Sequence, residues 1–207
     1  MKIVIANKSH SIYASAICQA IEDAAKVRGT GIARRQPEYI ISKIEKAQAV
    51  IALDKNKFAG FCYIESWGHG KFVANSGLIV HPDYRGQGLA KRIKHKIFEH
   101  SRKQFPEAKV FSITTGLAVM KLNSDLGYKP VTFSELTDDQ EFWKGCQTCK
   151  NYDVLQRTNQ SMCLCTGMLF DPKVKISKKK KIKEKVVNRL QRIKRNLLLR
   201  NTKIKLL

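Results

Sequence analysis

The sequence predicts a mixed α/β fold with a mostly antiparallel sheet, and three observations carry that prediction. Apolar runs and amphipathic segments alternate in the order strand, two helices, three strands, helix, strand, helix, strand. The three consecutive strand runs are joined by short turns, Asp54-Lys-Asn-Lys57 and Trp67-Gly-His-Gly70, as in hairpins. The last of them runs into a glycine-bearing loop that opens a long helix. A chain of 207 residues suffices for one domain with one core plus an appendage.

Taken in order, Ile3-Val4-Ile5 predicts a first strand. A helix capped by Ser9 or Ser11 follows, with Ile12, Ala16, Ala20 and Ala24 as its apolar stripe and an end near Gly29. Pro37 opens a second helix that turns Ile40, Ile41 and Ile44 inward. Ala49–Leu53, Phe58–Glu65 and Phe72–Val80 are the hairpin strands. Leu89, Ile93 and Ile97 recur every four residues along the long helix, Val110–Thr114 is the next strand, a short helix covers Leu117–Leu126, and Tyr128–Phe133 is the last strand.

The junction after Val80 is the most specific feature. His81-Pro82-Asp83 turns the chain, and Arg85-Gly86-Gln87-Gly88-Leu89-Ala90 begins the helix. Gly86 and Gly88 let the backbone approach a ligand, so that several N–H groups at a positive helix end can point at one anion.

Arg85-x-x-Gly88-x-Ala90, after an apolar strand and a His-Pro-x-Tyr turn, resembles the acyl-CoA pyrophosphate loop of the GNAT superfamily of N-acetyltransferases. Thr114-Thr115, a short helix and Leu126-Gly-Tyr-Lys-Pro-Val131 resemble the C-terminal half of that fold, and are similar to acetylglutamate synthase acetyltransferase domains and to small acyltransferases associated with bacterial arginine biosynthesis. The resemblance implies a V-splayed sheet flanked by helices, acetyl-CoA or another short acyl-CoA as co-substrate, and transfer of an acetyl or succinyl group to an amine, plausibly the α-amine of glutamate. It also implies that backbone groups around Leu78, Ile79 and Val80 receive the pantetheine arm and thioester, and that Arg85, Gly86, Gln87, Gly88, Leu89 and Ala90 hold the pyrophosphate.

Acyl transfer needs a neutral amine, a stabilised oxyanion and a proton for a thiolate whose reference pKa is about 8.5. Glu65, near the end of its strand, is a candidate base acting through water, or a solvated strand-end carboxylate. Many family members carry a Tyr four residues before the Gly of the Gly-aromatic pair, where it protonates the thiolate; this chain has Asn123. Asn123 could hydrogen-bond the sulfur or acyl group with solvent delivering the proton, or Tyr128 could substitute, unless it is a core aromatic. The segment bearing Arg28, Arg34 and Arg35 borders the acceptor site in the family. Its guanidinium groups suit a carboxylate-bearing acceptor, or form a solvated basic loop.

Four cysteines form the pairs Cys146-x-x-Cys149 and Cys163-x-Cys165 within a Cys-rich segment at 142–170, and Cys18 and Cys62 stand alone. The pairs could converge on one structural Zn²⁺, with Cys163 and Cys165 on one face of a strand; packing cysteines and a redox pair are the other readings.

The domain is expected to span residues 1–172, followed by a basic tail at 173–207. The net charge is +22, and the tail holds 15 Lys and Arg against the single Glu184. Ile182, Val186, Leu190, Ile193 and Leu197 make the tail an amphipathic helix that could meet nucleic acid, an anionic membrane or an acidic protein, or stay solvated. It has no aromatic residue for base stacking. No run of 18 uncharged apolar residues occurs, and Met1–Asn7 reads as a strand and not a signal sequence, so a cytoplasmic location is expected. Two other readings remain: an N-acetyltransferase for a polyamine, antibiotic or protein amine, and a non-catalytic RNA- or ribosome-binding protein that uses the tail.

Overall fold

The structure, a computed structural model, describes residues 1–28 and 34–174. The Arg28 side chain, the loop at 29–33 and the tail helix expected from Ile182 onward lie outside the described residues. The chain divides into two compact units, Met1–Pro172 and Lys173–Leu207, and every element named below belongs to the first.

Strand β1 (Lys2–Ile5) leads into a 3-10 turn capped by Asn7, whose side-chain oxygen accepts the Ser9 N–H at 3.1 Å. The cap is thus neither of the expected serines. Helix α1 (Ala14–Arg28) buries Ala14, Ile17, Ile21 and Ala24. The expected stripe is out of phase because Ile12 lies in the 3-10 turn, outside the 3.6-residue period, and is 79% exposed. Helix α2 (Pro37–Glu45) starts at its proline and buries Ile40 and Ile44.

Strands β2 (Ala49–Asp54), β3 (Lys57–Trp67) and β4 (Phe72–Val80) form the expected antiparallel hairpins. Helix α3 (Leu89–Gln104), β5 (Lys109–Thr114), α4 (Leu117–Asp125) and β6 (Lys129–Val131) follow, then short helices α5 (Gln140–Lys144) and α6 (Tyr152–Arg157) and strand β7 (Thr166–Phe170). The seven-stranded sheet has the order β1-β2-β3-β4-β5-β7-β6, and only β4 and β5 pair in parallel. Strand β7, unforeseen from the sequence, inserts between β5 and β6. Strand β6 is shorter than the Tyr128–Phe133 run, since Phe133 already begins a 3-10 turn.

Strand periodicity divides the core between the sheet faces. Ala49, Ile51, Phe61 and Tyr63 pack with α1 and α2, whereas Val50, Ala52, Cys62 and Ile64 pack with Leu89, Ile93 and Ile97 of α3. A third group joins Phe111 of β5 to Phe133, Phe142 and Trp143. No helix among the described residues is long and apolar enough to cross a membrane.

Two irregularities create the site. Strand β4 pairs with β5 only over Phe72–Ala74, so the strands part from Asn75 onward and the sheet splays. On its other edge β4 is bulged: Phe61 faces Ile79 and Tyr63 faces Ser76, which leaves Gly77 and Leu78 opposite Cys62 alone. Gly77 has φ +63°, and a side-chain carbon there would strike the Tyr63 ring, so glycine is required twice over.

Candidate active site

On one side of the splay the chain leaves β4 through a 3-10 turn at Pro82–Tyr84, whose start is held by the His81 ring accepting the Asp83 N–H. Arg85 folds back, its Nε donating to the Val80 carbonyl at 3.2 Å, and the Gln87 amide donates to the Asp83 carbonyl at 3.3 Å. Gly86 and Gly88 have φ +76° and +71°, and Gly88 is the N-cap of α3. No side chain caps this helix and no acidic residue lies in its first turn, so a 16-residue helix presents its positive end bare to the loop. Such an end suits an anion.

The splay opens into a cavity of about 240 Å³ on the α1 and α2 side. Its floor is Ser76–Ile79 of β4 and Ser112–Thr114 of β5. Tyr63 and Glu65, two apart on β3 and therefore on one face, form a wall with Arg35. The Arg35 Nε donates to the Tyr63 hydroxyl at 2.7 Å, the Tyr39 hydroxyl donates to Glu65 Oε1 at 2.6 Å, and Arg35 Nη2 stands 3.8 Å from the same carboxylate oxygen. Both charged side chains are largely buried, at 22% and 14% exposure. Burial alone would lower the Arg35 pKa, but Tyr63, Glu65 and Tyr39 around it hold the guanidinium above its ordinary value. Burial and the Glu65 charge push the Tyr39 and Tyr63 hydroxyls up, so both stay protonated. Trp67, Phe111 and Phe142 meet at ring distances of 5.0–5.6 Å and form the apolar end.

A family model for the GNAT acetyltransferases matches residues 18–121, half of the chain. The chain belongs to that family. Its fold is therefore the GNAT acetyltransferase fold, and the splay between β4 and β5 lies within it. No curated protein sequence matches the chain. Among solved structures, N-acetylglutamate synthase from Neisseria gonorrhoeae, complexed with coenzyme A and N-acetyl-glutamate, superimposes with a TM-score of 0.58 at 14% identity over 82% of this chain. The chain spans only about a third of that protein's length, 34%. A Mycobacterium tuberculosis protein in complex with CoA gives 0.58 at 15% identity, covering 83% of this chain and 99% of that one. YncA from Salmonella typhimurium with acetyl-CoA gives 0.57 at 14% identity, covering 86% and 96%. At these identities the likeness is one of fold.

The expected GNAT site residues fall into four groups. Glu65, Arg35, Leu78 and Ile79 line the cavity, while Val80 and Arg85–Ala90 form the adjoining loop and helix start. Arg34 is exposed, and its carbonyl accepts from Arg35 Nη1 at 3.0 Å. Asn123 and Tyr128 do not line the cavity. The Asn123 amide nitrogen lies 3.7 Å from the Met168 sulfur and its Oδ1 lacks a hydrogen-bond partner. The Tyr128 hydroxyl donates to Asn75 Oδ1 at 3.2 Å, behind the floor, and burial pushes its pKa well up. Neither reaches the lining, but Asn75, which accepts from Tyr128, does.

Cys146, Cys149, Cys163 and Cys165 do converge, at the cavity end farther along from the loop strand, and all are free thiols. Among the described residues, however, no group of three or more His, Cys, Asp or Glu is arranged to hold a metal ion, so the zinc reading gains no support from the geometry. Local structure explains the difference. Cys163 and Cys165 precede β7 instead of lying on a strand. The Cys149 sulfur accepts the Asn151 N–H, and the Cys163 thiol faces the Asn151 carbonyl. Burial and neighbouring sulfurs push Cys146 up to about 11 and Cys165 up to about 12, so both remain thiols at neutral pH.

Sequence reasoning missed Tyr39, Tyr63 and Asn75. An aromatic in an apolar run reads as core, which Tyr63 also is. The available signal was Gly77 inside a strand pattern, the mark of a bulge or close approach.

Proposed function

We propose that this GNAT protein moves an acetyl or other short acyl group from acyl-CoA to the amine of a small molecule, with the α-amine of glutamate as the leading acceptor. One observation carries the reading: the β4 opening at the Gly77–Leu78 bulge adjoins a cavity lined by Arg35 and Glu65. The pyrophosphate of the co-substrate rests on the loop Arg85–Ala90, and main-chain groups of Leu78, Ile79 and Val80 hold the pantetheine arm and thioester. CoA-bound neighbours of the same fold support this use of the splay.

Glu65 takes a proton from the acceptor ammonium, directly or through water. The neutral amine nitrogen then bonds to the thioester carbon and loses its second proton to solvent, backbone N–H groups at the bulge stabilise the oxyanion, and the C–S bond breaks. Because Asn123 and Tyr128 stand behind the lining, solvent supplies the proton to the departing thiolate. Arg35 supports an acceptor bearing a carboxylate, and the likeness to the Neisseria N-acetylglutamate synthase favours glutamate. Residues 1–172, including the Cys-rich segment 142–170, form the acyltransferase domain in this reading, and 173–207 the basic tail.

Thiol release from acetyl-CoA and succinyl-CoA, measured across glutamate, other amino acids and polyamines, tests the proposal. Acceptor-dependent release is expected, and the Arg85→Ala, Gly88→Trp double variant should raise the Kd for acetyl-CoA by about 100-fold. Absence of both turnover and CoA binding would overturn it.

A further inference from the structure

Arg35 and Glu65 are opposite charges placed side by side on one cavity wall, in an ion pair of 3.8 Å that is longer than a hydrogen bond. Their hydrogen bonds go elsewhere, to a tyrosine each and, from Arg35 Nη1, to the Arg34 carbonyl. Tyr63 accepts from the Arg35 Nε and Tyr39 donates to Glu65, while the two rings meet edge to face at 5.9 Å. The Arg35 guanidinium also lies 5.5 Å over the Tyr39 ring. The Tyr63 ring fills the space above Gly77, the bulge residue. One aromatic thus spans from the bulge to the guanidinium and sets the distance between them.

We infer that Arg35 and Glu65 form a two-ended receptor for an α-amino-acid head group, carboxylate on Arg35 and ammonium on Glu65, and that Tyr63 and Tyr39 are the positioning residues that aim it at the Gly77 bulge. This rests on the acyltransferase reading and narrows its acceptor to amines that carry an adjacent carboxylate. A guanidinium presents a planar fork of donors that matches a carboxylate, and a carboxylate accepts from an ammonium. The two tyrosines remain neutral donors and acceptors, so they orient the charges without cancelling them. A polyamine has no group for Arg35. An isolated amine leaves that guanidinium desolvated and without a counter-ion from the substrate, which is the kind of mismatch that gives large discrimination.

The test uses the full chain with acetyl-CoA and three matched acceptors: glutamate, its α-carboxamide, and 4-aminobutyrate, which is glutamate without its α-carboxylate; leucine, leucinamide and 3-methylbutylamine form a second set. The amino acid of at least one set is expected to exceed both partners in kcat/KM by about 100-fold. Arg35→Ala should bring the three within about threefold of one another. Tyr63→Phe keeps the ring over Gly77 and removes only the hydroxyl. It should raise KM for the amino acid about tenfold, with kcat changed less than about threefold and KM for acetyl-CoA unmoved. Equal use of the carboxamide or the decarboxylated amine overturns the inference. So does turnover confined to polyamines, although the acyltransferase reading then stands. A Tyr63→Phe effect shared equally by kcat and the acetyl-CoA KM overturns the positioning role. No thiol release with any acceptor overturns the inference and the reading beneath it together.

Discussion

The two ends of the site are built differently. The loop end is a continuous stretch, Val80–Ala90, in which Arg85 and Gln87 fold back on carbonyls of the same stretch and the bare start of α3 offers main-chain N–H groups. The cavity end, the acceptor end in the reading proposed above, is assembled from Arg35 before α2, Tyr39 on α2, Tyr63 and Glu65 on β3, and the segment around Cys146–Cys165, and it is lined by side chains. A site made of backbone is carried by where glycines fall, whereas a site made of side chains depends on how distant segments dock. Substitution tolerance should differ accordingly: in the loop end only glycines are irreplaceable, and in the acceptor end conservative changes already alter selectivity.

The sharpest way to break the comparison is at Gly77, where the two ends meet. Gly77→Val places a side chain at positive φ and into the Tyr63 ring. It should lower stability by about 3 kcal/mol, a fall of roughly 10 °C in Tm by thermal unfolding, and abolish thiol release. A wild-type Tm would show that the bulge can move and that the ends are independent.

A smaller effect is expected from Lys94, which α3 buries behind the loop with its ammonium 5.2 Å over the Tyr128 ring. Burial lowers its pKa from 10.5 to about 8. Between those values the unfolded chain binds more protons than the folded one, so stability rises with pH as the buried amine loses its charge. Relative to Lys94→Met, the wild type should gain about 2 kcal/mol of unfolding free energy between pH 7.5 and 9.5, read from denaturant melts at each pH. A flat difference would mean that the ammonium is solvated.

The smallest expected effect belongs to the cysteines. Since their sulfurs form no metal group, overnight chelation should shift Tm by less than about 1 °C. A fall of several degrees would mean that the four thiols close on a metal in solution.

Legibility in the sequence followed the same division. Element order, the three hairpin strands and the loop were readable because each signal is local: an apolar run, a turn, or glycines ahead of a helix. Strand β7 was not, since Thr166–Phe170 is short, lies beyond an irregular segment, and gains strand character only by inserting between β5 and β6. The α1 stripe slipped because a 3-10 turn precedes the helix. Glu65 and Arg35 were named as candidates and both line the cavity, but their partners Tyr39 and Tyr63 were invisible, because hydrogen bonds spanning 26 and 28 residues leave no periodic trace. The zinc reading placed Cys163 and Cys165 on a strand, whereas both precede β7.

The brief contact between β4 and β5 has a consequence beyond chemistry. Strand β4 is central in the sheet order, yet beyond Ala74 it has no ladder to β5 and so presents an edge in the middle of the molecule. Edges of this kind are templates on which another extended chain can add, the usual start of aggregation and strand exchange. The Gly77 bulge, formed on the β3 side, bends β4 and so interrupts the regular repeat of its open side as well, and α4 begins at Leu117, soon after β5 ends at Thr114. The bend in β4 therefore also guards the open side against being completed by the wrong strand.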